Sequence, residues 1–126
     1  IDAENMALRV VNAVYEGIDK EGGLCYEYDP KHGLTKVREW WPQAEAVVGF
    51  LNAYQISKEE KYLDSAWKSC QIIKKYFIDH KFGEWFFRVD ENGKPVWSED
   101  KIGFWKCPYH NSRMAFEVKE RLKYSD

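Results

Sequence analysis

Two segments of the sequence, residues 38–45 and residues 105–113, combine tryptophan rings with polar side chains that could bind and transform a sugar. The C–H face of a sugar packs against aromatic rings, while its hydroxyl groups need hydrogen-bond partners in fixed positions. His110 is the best candidate for acid–base chemistry, because an imidazole exchanges protons near neutral pH. Arg113 follows about one helical turn later and is therefore expected on the same helix face.

These residues also have structural interpretations. Trp40 and Trp41 could fill a hydrophobic core. Glu45 could form an ion pair with Arg38 or Arg113 instead of contacting a substrate. A histidine near a helix start is often only a packed or surface residue, so the residue types alone leave both interpretations open.

Apolar residues at helical spacing predict four helices, and glycine-rich segments with strand-forming residues predict two hairpins. The second helix is apolar on almost every side and is expected to be buried, whereas the third is amphipathic and is expected on the outside, with Trp67 in its apolar stripe. Ser57 is expected to begin the third helix with a capping box. The predicted helices span residues 3–18, 39–55, 57–78 and 108–123, and the hairpins lie in residues 24–37 and 83–96.

The predicted elements repeat. An outer helix, a glycine-led aromatic hairpin at Gly23 or Gly83, and an inner helix occur twice, so both candidate segments should face the same mouth of the fold. Helix-pair repeats bury their inner faces only against neighbouring pairs. Two pairs would make about a third of a six-pair ring. We therefore expect partner helices, either in a longer protein or across a self-association interface.

Composition narrows the functional class. The net charge is -2, with 19 basic and 21 acidic residues, which does not favour a nucleic-acid or membrane partner. Three cysteines without paired or zinc-type spacing predict reduced thiols, a cytoplasmic location and no metal site. The sequence begins with Ile1, directly before a helix, as expected of a piece of a longer protein.

Three motifs together carry a family resemblance. They are Glu-Trp-Trp-Pro-Gln-Ala-Glu-Ala-Val-Val-Gly-Phe-Leu-Asn-Ala-Tyr (39–54), Gly-Glu-Trp-Phe (83–86) and Phe-Trp-Lys-Cys-Pro-Tyr-His-Asn-Ser-Arg-Met (104–114). In this order, the chain resembles the C-terminal part of N-acylglucosamine 2-epimerases and cellobiose 2-epimerases. The third motif is more similar to the cellobiose branch.

The resemblance implies an all-α fold, with residues 1–126 as the C-terminal portion of one (α/α)6-barrel domain. It also implies epimerisation of a mono- or disaccharide at C2 of the reducing end, through removal and return of the C2 proton, without a cofactor. The C1 carbonyl acidifies that C–H bond, and the enediolate needs two proton carriers on opposite faces.

Site residues follow from the same resemblance. His110 matches the family's C-terminal catalytic histidine, while His32 and His80 are expected on the surface. The expected sugar-contacting or surrounding residues are Trp40 or Trp41, Trp105, Glu45 and Arg113. The family's other catalytic histidines and an arginine belong to helices outside these residues, so we expect the 126 residues alone to be inactive.

Three other functions stay open at this point. An aldose–ketose isomerase would share the enediolate but return the proton to C1. A glycoside hydrolase would need two carboxylates flanking the scissile bond, and no second acid is evident near His110. A noncatalytic sugar-binding module would use the tryptophan-rich surface without turnover.

Overall fold

The computed structural model describes residues 2–123, in which four α-helices and four short strands form two successive helix pairs. A 3₁₀ turn, Tyr15–Gly17, follows the first helix, and a π-helical turn, Ile73–Phe77, follows the third. The helices are α1 (Ala3–Val14), α2 (Trp40–Ser57), α3 (Glu60–Ile72) and α4 (Tyr109–Leu122), and the strands are β1 (Glu27–Asp29), β2 (Gly33–Thr35), β3 (Arg38–Glu39) and β4 (Arg88–Val89).

Helix α2 is the centre of the fold and packs against the other three helices. As its apolar sequence predicts, its residues are buried or half-buried, with the exception of Trp41. The helix ends at Lys58, which adopts a left-handed conformation with a φ of 61° and donates its backbone N–H to Tyr54 O. The side chains of α2 thus form the core against which α1, α3 and α4 pack.

Two details of α3 differ from the prediction. Ser57 does not cap it, because this residue is still part of α2 and its hydroxyl donates to Ala53 O. Trp67 is 65% exposed, since it lies about 100° around the helix from the buried Ala66 and so falls outside the stripe that faces α2.

The turn that follows each outer helix is built in the same way in both units. One carboxylate oxygen of Asp19, and likewise of Asp79, accepts two backbone N–H groups of its own turn at 2.9 and 3.1 Å. The second oxygen accepts from a cation at 2.6 Å, Arg38 Nε in the first unit and Lys101 Nζ in the second. The predicted repeat is therefore visible at the level of individual hydrogen bonds.

The second predicted hairpin is present, closed by backbone hydrogen bonds from Asp90 N to Lys94 O and from Val96 N to Arg88 O, but its strand β4 forms its regular ladder with a strand outside the hairpin. Strand β4 pairs with β3 in antiparallel register, with Arg38 opposite Val89 and Glu39 opposite Arg88. Within its own hairpin, Val89 forms only an isolated bridge with Pro95. The second unit thereby fixes the backbone immediately before α2, where the first candidate segment begins.

Two helices, α1 and α4, expose apolar side chains. Neither α1 nor α4 contains a buried residue, and α1 exposes Met6 and Val10 while α4 exposes Phe116 and Leu122. Among residues 2–123, no helix combines the length and the apolar character needed to cross a membrane.

Candidate active site

Three predicted site residues meet where α2 and α4 begin. His110, in the first turn of α4, places Nδ1 2.6 Å from Oε1 of Glu45, which lies in the second turn of α2. Arg113, one turn further along α4, donates from Nη2 to the same carboxylate oxygen. Glu45 therefore pairs with Arg113, as one structural alternative predicted, and not with Arg38, which binds Asp19 and Glu21 instead.

The Glu45 carboxylate favours one tautomer of His110. Burial alone would raise the pKa of Glu45, but the hydrogen bonds from His110 and Arg113 outweigh this effect and lower it below its ordinary value. An ionised carboxylate only accepts hydrogen bonds, so the contact with Glu45 favours the tautomer with the proton on His110 Nδ1, although the donor Arg113 Nη2 also lies 3.0 Å from this nitrogen. The other ring nitrogen, Nε2, is left as a proton acceptor, and within residues 2–123 it has no hydrogen-bond partner.

Aromatic rings surround the imidazole. Trp40 is 1% exposed and meets the His110 ring edge to face, with the centroids 5.2 Å apart. Trp41 is 41% exposed, and its ring lies 5.8 Å from that of His110 at a 35° tilt. The two tryptophans thus differ in role: Trp40 is part of the core, as its structural interpretation held, whereas Trp41 offers an accessible ring beside His110.

Trp105 lies apart from this cluster. It is 77% exposed, and its ring contacts Phe104 with a centroid distance of 4.9 Å. In the described part of the chain, no hydrogen bond or ring contact joins it to His110. Trp105 is therefore available to a ligand at the protein surface, while its predicted sugar contact stays a prediction.

Several residues of this region were not singled out from sequence. The Tyr109 ring lies 4.1 Å from that of His110 at a tilt of 42°, and Glu39 accepts a hydrogen bond from Trp41 Nε1 at 3.1 Å. Arg88 donates from Nε to the other Glu39 oxygen at 3.1 Å. Glu39 and Tyr109 could have been found from the sequence, because they are the neighbours of Trp40 and His110 in the motifs. Arg88 could not, because it reaches the site through the pairing of β4 with the distant strand β3.

A cavity of about 810 Å³ is lined by residues of α1, α2 and the β1–β2 hairpin. Its wall is mainly apolar, with Val10 and Val14 of α1 and Tyr28 of the hairpin. Trp41 and Glu45 also line it. The site residues of α2 thus border both His110 and a cavity large enough for a small ligand or an inserted side-chain cluster.

Comparison with known proteins identifies the family of this helical chain. Residues 2–112 match the N-acylglucosamine 2-epimerase family model. The chain is 44% identical over 117 residues to cellobiose 2-epimerase of Ruminococcus albus, covering 92% of this chain and 30% of that protein. The chain belongs to the N-acylglucosamine 2-epimerase family.

Two further relatives bear on the fold and the function. A crystal structure of a sugar epimerase from a ruminal bacterium superposes with a TM-score of 0.87 at 41% identity, covering 98% of this chain and 31% of that one. D-mannose isomerase of Marinomonas mediterranea is 30% identical over 104 residues, covering 82% of this chain and 26% of that protein.

The predicted fold class is confirmed. The chain is a partial (α/α)6 barrel that spans about 30% of the length of these relatives, and it does not close into a ring. Its two helix pairs and the short strands before the inner helices correspond to part of the larger barrel.

Proposed function

We propose that this chain supplies one proton carrier and part of the sugar pocket of a cellobiose 2-epimerase-like enzyme. The observation that carries the proposal is the hydrogen bond from His110 Nδ1 to Glu45, beside the accessible ring of Trp41. That bond leaves Nε2 free for substrate, and the tilted tryptophan ring suits the apolar face of a sugar. Residues 1–126 are then the C-terminal portion of one barrel domain.

The reaction needs only proton transfer. In the ring-opened sugar, His110 Nε2 takes the C2 proton, the C–H electron pair forms the C1=C2 bond, and the C1 oxygen becomes an enediolate oxygen. A second acid then returns a proton to the opposite face of C2, and the C1 carbonyl re-forms. The Glu45 carboxylate, which Arg113 also contacts, orients the imidazole and stabilises its positive charge after proton uptake.

The second proton carrier must come from outside the candidate site. His32 lies in the β1–β2 turn with an 82% exposed side chain, and His80 hydrogen-bonds through Nε2 to Lys74 O after the π-helical turn. Neither is in the first turn of an inner helix. We propose that helices from the rest of the barrel cover the cavity beside α2 and the exposed apolar side chains of α1, and bring the missing groups. A cytoplasmic location stays a prediction based on the thiols.

A chimera tests the proposal. In Ruminococcus albus cellobiose 2-epimerase, the matching 117 residues are replaced by those of this chain. The chimera and the chain alone are incubated with cellobiose, lactose or N-acetylglucosamine in deuterated water, and C2 exchange and products are followed by NMR. We expect exchange and epimer formation by the chimera and neither by the chain alone.

Two variants of the chimera test the role of His110. His110→Ala should lower the exchange rate by about 10² to 10⁴-fold, the usual contribution of a positioned acid or base. His32→Ala is the matched control and should leave the rate unchanged. An active chimera that tolerates His110→Ala would refute the proton-transfer role, and a folded chimera without exchange on any of the three sugars would refute the epimerase proposal for them.

The similarity to D-mannose isomerase supports a second candidate, an aldose–ketose isomerase. It would use the same first step and deliver the proton to C1, so a ketose product in the same assay would select it. Glycoside hydrolysis is less favoured, because a general acid needs a raised pKa and the pKa of Glu45 is lowered. Binding of a disaccharide without exchange would select the sugar-binding module.

A further inference from the structure

Lys106, four residues before His110, is buried to an extent that is unusual for a lysine. It is 1% exposed. Its ammonium group donates to Glu84 Oε1 and to Lys101 O, both at 2.7 Å, and lies 4.8 Å from the centroid of the Trp40 ring. A buried ammonium is costly unless it is paired and hydrogen-bonded, so these contacts define one position for it.

Glu84, the partner of Lys106, connects two parts of the fold. Glu84 comes directly after Gly83, and its own φ is 60°, a left-handed conformation that is uncommon outside glycine. Its carboxylate also accepts from Asn111 Nδ2 at 3.2 Å. Burial raises the pKa of Glu84, but the hydrogen bond from Lys106 and others outweigh it and leave the pKa lowered. The ionised carboxylate thus joins the turn at Gly83 to the first turn of α4.

Helix α4 needs such an anchor. Pro108 occupies its N-cap position and provides no side-chain cap, and the helix has no buried residue of its own. Within residues 2–123, a capping side chain, the ordinary means of satisfying the first backbone N–H groups of a helix, is therefore absent from α4. Trp40 completes the connection, because its ring contacts both Lys106 and His110.

We propose that the buried Lys106–Glu84 ion pair is a positioning device for His110, which sets the first turn of α4 so that Nδ1 reaches Glu45. The role assigned to His110 rests on the proposed function, but the placement of its ring does not. Lys106 acts through Asn111 and Trp40, and it does not touch the sugar.

The test is the tautomer of His110 in the 126-residue chain, read from two-bond proton–nitrogen NMR spectra of histidine-labelled protein at about pH 8, above the usual imidazole pKa. The chain has only three histidines, so the signal lost in His110→Ala assigns the residue. The wild type should show the Nδ1–H form. Lys106→Met, which keeps the length and removes the charge, should lose that preference and give a mixture of tautomers.

Two further variants make the result decisive. Lys106→Met with Glu84→Gln removes both charges, leaves no unpaired ion in the core, and should also lose the preference. Lys101→Met removes an ion pair of the same kind, to Asp79 at 2.6 Å, from the same loop and should keep it. Folding is checked by circular dichroism and the urea midpoint.

Two results would overturn the inference: a folded double variant that keeps the Nδ1–H form, or equal loss of that form in Lys101→Met. The measurement needs no turnover. A chimera without sugar exchange would therefore count against the proposed function and leave the tautomer result intact, and the reverse combination would count only against the positioning role.

Discussion

Substitution of Glu21 by Gln should destabilise the chain in a way that depends on pH. The Glu21 carboxylate accepts hydrogen bonds from Arg38 Nη2 at 2.8 Å, Tyr76 Oη at 2.7 Å and Lys75 Nζ at 3.2 Å. Arg38 has the largest effect and Tyr76 the next, and together they lower the pKa of Glu21 from 4.5 to about 2. This carboxylate thus links the turn that follows α1 to β3 and to the π-helical turn.

The magnitude follows from the pKa and the exposure. A shift of this size corresponds to about 3 kcal/mol for a fully buried group. The Glu21 side chain is 46% exposed, and solvent screening reduces the value to about 1 kcal/mol. Because the folded-state pKa is lowered, this stability is present above pH 4.5 and is lost as the pH falls toward about 2.

Urea unfolding of wild type and Glu21→Gln at several pH values measures the effect. We expect a difference of about 1 kcal/mol near pH 7 that shrinks to nearly zero close to pH 2 and weakens in about 1 M salt. Glu27→Gln, on the exposed strand β1, is the matched control and should cost little at any pH. A difference that stays constant from neutral to acid pH would refute the ion-pair explanation.

Two matched pairs of substitutions give further predictions. Trp40→Ala should lower the free energy of unfolding by about 3 to 5 kcal/mol. Trp41→Ala should lower it by less than about 1 kcal/mol and should instead raise KM in the chimera. Similar urea midpoints for the two variants would contradict the difference in burial. Gly33→Ala should cost about 1 kcal/mol from its positive φ alone, because no atom lies within 4 Å of the new Cβ. Gly93→Ala should cost clearly more, since its Cβ would lie 2.3 Å from the ring of Tyr76, and equal thermal stability of the two glycine variants would refute this steric argument.

Local patterns predicted the helices well because they depend on neighbours in sequence. The predicted span of α2, residues 39–55, differs from the observed Trp40–Ser57 by no more than two residues at either end. The apolar composition of this helix also predicted its burial, since α1, α3 and α4 all pack on it. The capping box at Ser57 failed because the preceding helix continued through this residue and used its hydroxyl.

The arrangement of the site was less predictable, because it depends on contacts between distant segments. The motifs placed Glu45, His110 and Arg113 near one another, but the sequence treated a structural ion pair and a functional role for Glu45 as alternatives. In the structure the same oxygen contacts both His110 and Arg113. The burial of Lys106 could not be predicted for the same reason. Its partners, the Glu84 carboxylate and the Trp40 indole, come from distant parts of the sequence.

The short β3–β4 ladder limits the modularity of the barrel. In a repeat protein whose units touch only through helix faces, one helix pair can be exchanged or deleted as a block. Here the second pair contributes Arg88 to the backbone ladder beside Glu39, and its side chain pairs with the Glu39 carboxylate just before the inner helix of the first pair. A recombination point between α2 and α3 would therefore separate Glu39 from its cation and release the Trp41 indole that Glu39 holds. Recombination between members of this family should therefore exchange the two helix pairs together and not separately.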